Sequence, residues 1–181
     1  MAEYFVGLPV PRDIADVLEK AQGGLHAGEP ERRENFHVWL SELGELSEPQ
    51  LEKVREALER VAVGPFYVQV DGLGTIGGNA PTVLYAELDQ PRGLKSLHRL
   101  VGREAREAGV SVAHARVDPH IPVARFGEMG QHDLKQIMSF LSRRASLSAG
   151  PFPATDFNLY RRGTVAQPEN EIVASYELRS Y

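Results

Sequence analysis

The sequence predicts an α+β fold, with antiparallel sheets and outer helices grouped into two similar lobes. Three observations lead there. Strand-like runs rich in Val, Ile, Tyr and Phe alternate with four stretches of helical periodicity. A glycine-rich connector joins two neighbouring strands, as in an antiparallel hairpin. The order of elements also repeats itself in the two halves of the chain, which suggests internal duplication. At 181 residues, 42% hydrophobic and 25% charged, the chain has the composition of an ordinary globular domain. A chain of this size buries roughly 70% of its unfolded surface, enough for a real core. Residues 1–181 are read as one such domain.

The strands are expected at Tyr4–Leu8, Asn35–Leu43, Phe66–Val70, Thr82–Leu88, His120–Phe126, Asp156–Arg161 and Ile172–Leu178. The first helix carries the stripe Ile14, Val17, Leu18, Ala21 and Leu25. The second carries Leu51, Val54, Leu58 and Val61, opened by S-E-P-Q, a Ser-x-x-Gln capping pattern. The third carries Leu94, Leu97, Val101, Ala105 and Ala108, with Gly109 as its stop. The fourth carries Leu134, Ile137, Met138, Leu141 and Ala145. Between the third and fourth strands lies D-G-L-G-T-I-G-G-N-A-P. Its glycines stand between two strands, not between a strand and a helix, so it reads as a hairpin loop rather than a phosphate cradle. The polar stretch Gly163–Asn170 reads as a mobile loop.

Several function classes lose support from composition. There is no Cys, which removes disulfides, thiol nucleophiles and Cys-ligated metals and is compatible with a reducing cytoplasm. The net charge of −5 argues against gripping long duplexes by phosphate neutralisation. A small anion or one nucleic-acid end remains compatible, because the local field of a cleft decides. The start M-A-E-Y-F-V-G-L-P-V-P-R-D lacks the basic region and apolar run of a signal peptide. No apolar stretch approaches a membrane span.

The chemistry lies in two of the six histidines. His26, His98 and His132 read as surface or capping residues, and His114 as a surface residue behind a D-P turn. His37 and His120 differ, because each sits in an apolar, β-forming run: N-F-H-V-W-L and D-P-H-I-P-V. Alternation puts Asn35, His37 and Trp39 on one face of the first strand, and Asp118, His120 and Pro122 on one face of the second. Two buried histidines satisfied by hydrogen bonds would explain each run separately. Two histidines facing one cleft would form an acid–base pair, since an imidazole pKa near 6.5 lets one be neutral and the other protonated near pH 7. One takes a proton from water and the other gives a proton to a leaving oxygen.

These residues carry a resemblance. The chain is similar to the 2H phosphoesterase superfamily, and within it to the RNA 2′,3′-cyclic phosphodiesterases, also named 2′-5′ RNA ligases. That family has two His-x-Thr-x motifs. Here H-V-W-L-S-E-L-G runs from His37 to Gly44, and P-H-I-P-V-A-R runs from Pro119 to Arg125. The opening Y-F-V-G-L-P-V-P and the late F-N-L-Y-R-R also resemble family segments. The resemblance implies a bilobal fold, pseudo-twofold symmetric around a central cleft that both histidines face. It implies hydrolysis of RNA 2′,3′-cyclic phosphate ends to 2′-phosphate, with no metal and no cofactor, and 2′-5′ RNA ligation as the reverse. His37 would protonate the leaving oxygen and His120 would activate water. The expected partners are RNA ends or small cyclic or 2′-5′-linked nucleotides. No membrane partner is expected, and a cytoplasmic monomer is.

Both motif threonines are replaced, by Trp39 and Pro122. A Pro has neither hydroxyl nor N–H, and Trp has only its indole N–H. Loss of one preorganised donor costs roughly 2.7–4 kcal/mol of barrier in oxyanion sites. The candidate substitutes are Arg125, Asn35, Tyr160 and Arg161, with Arg162 beside them, and Trp39 itself as donor, stacking face or core aromatic. Arg125 stands at an odd offset from His120, so a bulge would have to re-aim it. The alternative function is a catalytically weakened scaffold that binds nucleotide or RNA ends without efficient turnover.

Overall fold

A computed structural model describes residues 1–180. The strands are β1 (Glu3–Pro9), β2 (Glu29–Pro30), β3 (His37–Glu45), β4 (Phe66–Ile76), β5 (Val83–Leu88), β6 (Ile121–Arg125), β7 (Ser148–Ala154), β8 (Asp156–Arg161) and β9 (Glu171–Glu177). The helices are α1 (Arg12–Ala21), α2 (Glu48–Leu58), α3 (Arg92–Glu107) and α4 (Gln131–Arg143). They form two antiparallel sheets, in the orders β3-β1-β8-β9 and β2-β6-β5-β4-β7. The expected α+β class and its two antiparallel sheets are therefore observed.

The apolar stripes of α1 and α3 are buried, whereas on α4 only Ile137 of the expected stripe is buried, joined by Phe140, and Met138 is exposed. Ile14, Leu18 and Ala21 are buried on α1, and Leu94, Leu97, Val101 and Ala105 on α3. The capping pattern of α2 is real: the Ser47 N–H donates to Gln50 Oε1 at 3.0 Å. Gly109 follows α3 with φ +85°, a left-handed stop that glycine adopts without strain. Among the described residues, no helix is long and apolar enough to cross a membrane.

Four expectations need correction. The strand β7 and the two-residue β2 are additional; β7 reads S-A-G-P-F-P-A, and its two prolines disguise a strand that pairs only with β4. The glycine-rich connector is mostly strand, since β4 continues to Ile76, with a bulge around Gly72 (φ +101°) and the turn starting at Gly77. Residues 33–35 are a 3-10 turn, so the strand begins at His37 rather than Asn35. The loop Gly163–Asn170 is pinned: Asn35 Nδ2 donates to the Pro168 carbonyl at 2.7 Å, and the Asn170 N–H donates to Asn35 Oδ1 at 2.8 Å.

The sheets meet where the two histidine motifs meet. The Trp39 N–H donates to the His120 carbonyl at 2.7 Å, forming an antiparallel bridge. A second bridge joins Glu42 to Ala113. Beside β3, strand β1 presents Gly7 to the same face, and a Cβ there would lie 2.7 Å from the Val38 carbonyl and 3.1 Å from His37 Cδ2. The glycine is thus a condition for seating the His37 ring. Gly7→Ala is expected to destabilise the protein by about 1–3 kcal/mol through overpacking, measured by denaturant unfolding. An unchanged midpoint and slope would show that the neighbouring backbone yields freely.

Candidate active site

Antiparallel pairing at Trp39 and His120 sets the geometry of the site. Side chains directly opposite share a face, so Trp39 and His120 are neighbours and His37 stands opposite Pro122 in the same register. His37 and His120 are then diagonal neighbours, with Cα atoms about 7–8 Å apart. Trp39 stacks on His120, with ring centroids 5.3 Å apart and planes at 27°.

The two histidines are held in the same way. His37 Nδ1 lies 2.8 Å from the Asn35 carbonyl, and His120 Nδ1 lies 2.8 Å from the Asp118 carbonyl. Since a carbonyl only accepts, each Nδ1 carries its proton and each Nε2 is left for chemistry. Both rings are buried, with 3% and 6% of their surface exposed. Among the described residues, only Ser41 Oγ and Gln90 Oε1 are fully buried without a partner. Among the described residues neither Nε2 has a hydrogen-bond partner.

Burial governs the charge state. It pulls the His37 pKa down to about 3; the bond to Asn35 opposes this, while Arg162, Arg125 and His120 add to it. Burial also lowers the His120 pKa, opposed by the bond to Asp118 and reinforced by Arg125 and His98. Both imidazoles therefore favour the neutral form near pH 7. Desolvation in the groove thus works against the protonated form of either ring and outweighs the backbone hydrogen bonds that favour it.

A cavity of about 470 Å³ opens in front of His120. Trp39, Pro122, His120 and Arg125 line it with Glu3, Glu42 and Arg162. Arg125 reaches it through the bulge its offset required. Leu84 pairs with Ala124 and Tyr85 with Pro122, so Val123 is an extra residue in β6. The β3 strand has the matching irregularity, with Val6 opposite Ser41 and Gly7 opposite Trp39, and it turns Glu42 to the cavity.

The remaining candidates separate. Tyr160 stacks on Phe5 with centroids 5.0 Å apart, stands 6.0 Å from His37, and its hydroxyl accepts from Asn158 Nδ2. Asn35 is no ligand donor, because both ends of its amide hold the 163–170 loop; its carbonyl serves His37 instead. Arg161 points away, paired with Glu171 at the exposed end of β8. Its neighbour Arg162 enters the cavity, above the Phe5 ring at 4.8 Å. Alternation explains the difference: Tyr160 faces the groove, so Arg161 cannot. Trp39 is 7% exposed, with His120 on one side and His98 at 6.0 Å, so it is a packed aromatic and not an open stacking platform. His98 is accordingly no plain surface residue, and His114, though exposed, lines the same cavity; His26 and His132 are exposed. Glu42, Glu3 and Tyr85 (5.0 Å from the His120 ring) are site residues that pattern reading passed over.

The comparisons bear on the family resemblance and the fold. The family model for LigT-like phosphoesterases matches residues 8–85. A curated Bacillus subtilis protein named RNA 2′,3′-cyclic phosphodiesterase is 24% identical over 97% of this chain and 96% of its own. One of the same name from Aeropyrum pernix is 26% identical over 74% of this chain and 78% of its own. The crystal structure of E. coli LigT with 3′-AMP superposes with a TM-score of 0.78 at 20% identity, covering 98% of both chains. A Thermus thermophilus structure superposes with a TM-score of 0.72 at 21% identity, also covering 98% of both. The chain is thus similar to LigT-like phosphoesterases over residues 8–85, to curated RNA 2′,3′-cyclic phosphodiesterases along most of its length, and to E. coli LigT in its fold throughout, in line with the resemblance of its paired histidine motifs.

Proposed function

We propose that the protein hydrolyses RNA 2′,3′-cyclic phosphate ends to 2′-phosphate by a two-histidine acid–base mechanism that needs no metal. The observation that carries this reading is the duplicated arrangement: two imidazoles on one face, each with Nδ1 tied to the carbonyl two residues before it. His120 Nε2 takes a proton from water, and the water oxygen attacks phosphorus. The bond from phosphorus to O3′ breaks, and protonated His37 Nε2 gives its proton to O3′. One proton enters the pair and one leaves it. An arriving phosphate anion favours the protonated ring that burial disfavours. Arg125 stands where it can hold a non-bridging oxygen. The relatives' shared name supports the substrate class.

Incubation with an oligonucleotide ending in a 2′,3′-cyclic phosphate tests the reading. His37→Ala and His120→Ala are each expected to lower turnover by about 10²–10⁴-fold, the value of one acid or base. Cleavage that persists at the wild-type rate in both variants would remove the assignment.

The protonation states add a pH signature. The pair works with one ring charged, and kcat/KM reports the free enzyme. Both folded pKa values lie below 6.5, that of His37 near 3. The maximum of kcat/KM is therefore expected on the acid side of about pH 6.5. A maximum above pH 7.5 would contradict the depressed values.

A second reading has its own observation. Trp39 and Pro122 remove both motif hydroxyls, and a scaffold without those donors binds RNA ends better than it turns them over. Restoring them in Trp39→Thr/Pro122→Thr is expected to raise kcat by about tenfold or more. No rise would mean that other donors already serve the phosphate.

A further inference from the structure

Each histidine stands at the start of its strand, so the residue whose carbonyl holds its Nδ1 lies outside the sheet. That leading residue must itself be held. On the His37 side a carboxamide does this: Asn35 grips the 163–170 loop with both ends of its side chain. On the His120 side Asp118 takes that place and is exposed. Residues 114–119 belong to no helix or strand, and most of them are exposed. Packing supports them little on one side, since a cavity of about 290 Å³ lies beside Asp118, Pro119 and His120. A second carboxamide reaches in from elsewhere. Gln90, between β5 and α3, donates from Nε2 to the Pro119 carbonyl at 2.8 Å and to the Leu88 carbonyl at 3.3 Å. Three consecutive carbonyls are thereby engaged: Asp118 by His120 Nδ1, Pro119 by Gln90, and His120 by the Trp39 N–H.

We propose that Gln90 is a positioning residue for His120: its bond to Pro119 steadies the Asp118 carbonyl, which keeps the His120 proton on Nδ1 and leaves Nε2 as a base. The proposal rests on the two-histidine reading for the use of that base, though not for the tautomer of the ring. The mechanical link is short. The Asp118 and Pro119 carbonyls lie on adjoining peptide planes, and the Pro119 ring locks φ between them. A bond that fixes one plane therefore constrains the other. Gln90 holds its place against two unfavourable features. Its φ of +47° lies in the left-handed region, where glycine sits without strain and other residues do not. Its Oε1 is buried without a partner among the described residues, and turning the amide over would set that oxygen against two carbonyls. Strained backbone of this kind persists only where the surroundings over-determine it, and it gathers at functional sites.

Long-range proton–nitrogen NMR reads the tautomer of each imidazole without any need for turnover. The His37 ring is the internal control, since its leading residue is held by Asn35 and not by Gln90. Gln90→Met removes the donor and keeps the length of the side chain. Gln90→Gly removes the donor and relieves the backbone, so it is expected to unfold at no lower denaturant concentration than the Met variant. In both, His120 is expected to pass from the Nδ1–H form to a mixture of tautomers while His37 stays unchanged. With an oligonucleotide ending in a 2′,3′-cyclic phosphate, kcat is expected to fall by about tenfold or more and KM to stay within about twofold, because a misplaced base is felt in the transition state and not in binding. A His120 ring that keeps its Nδ1–H form in both variants would overturn the proposal. So would a wild-type kcat alongside a shifted tautomer. A shifted tautomer in a protein whose wild type leaves the cyclic phosphate intact would keep the ring's anchor in place and remove the catalytic reading.

Discussion

The main-chain hydrogen bond from Trp39 to His120 is the contact on which the site depends. It joins two sheets that otherwise pair within themselves. Because pairing is antiparallel, it also sets which side chains share the groove. A slip of one residue would turn His120 to the opposite face and separate the pair. The residues beside the bond make such a slip costly. Val38, Leu40, Ile121 and Val123 are all buried in the core behind the groove, and a shift would move them toward the cavity. The hydrophobic alternation of two short strands thus holds the position of two imidazoles in register.

Much of this was legible in the sequence, for identifiable reasons. The helices follow stripes that only a 3.6-residue period satisfies. The two histidine runs could be read as equivalent because each has a polar residue two positions before the ring and a β-forming run after it. The matching Nδ1 bonds are the structural form of that likeness. What the sequence concealed was concealed by local rules that tertiary pairing overrides. β7 contains Pro151 and Pro153, yet as an edge strand it needs ladder bonds on one side only. Asn35 lies in a 3-10 turn just before the strand, so alternation wrongly placed its side chain in the groove. Arg161 and Arg162 were equivalent on paper, and only the register of β8 decides between them. Glu42 was invisible because a bulge shifts the parity of β3 after Trp39, and no residue in S-E-L-G announces that bulge.

The bulges also leave a mark on the core. The extra residue in β3 puts Leu40 and Ser41 together on the inner side, and the Ser41 hydroxyl is buried without a partner. Leaving such a group unpaired costs roughly 1–3 kcal/mol. The matching position in β6 is Ala124, which has nothing to satisfy. The two halves therefore share backbone geometry more closely than they share side-chain chemistry.

That difference bears on how phosphate can be held. A groove with two neutral imidazoles, an indole and a proline has few donors of its own. Desolvation has already removed the charge from the rings, and the residues at the two threonine positions supply no hydroxyl. What remains is positive charge delivered from outside the motifs, by Arg125 after a bulge and by Arg162 from the end of β8. Arg125 has a single carboxylate beside it, Glu31 at 3.8 Å, whereas two carboxylates occupy its counterpart. The balance between these arginines decides where an anion settles. The two walls of the groove therefore differ in charge although its strands share the same bulged backbone.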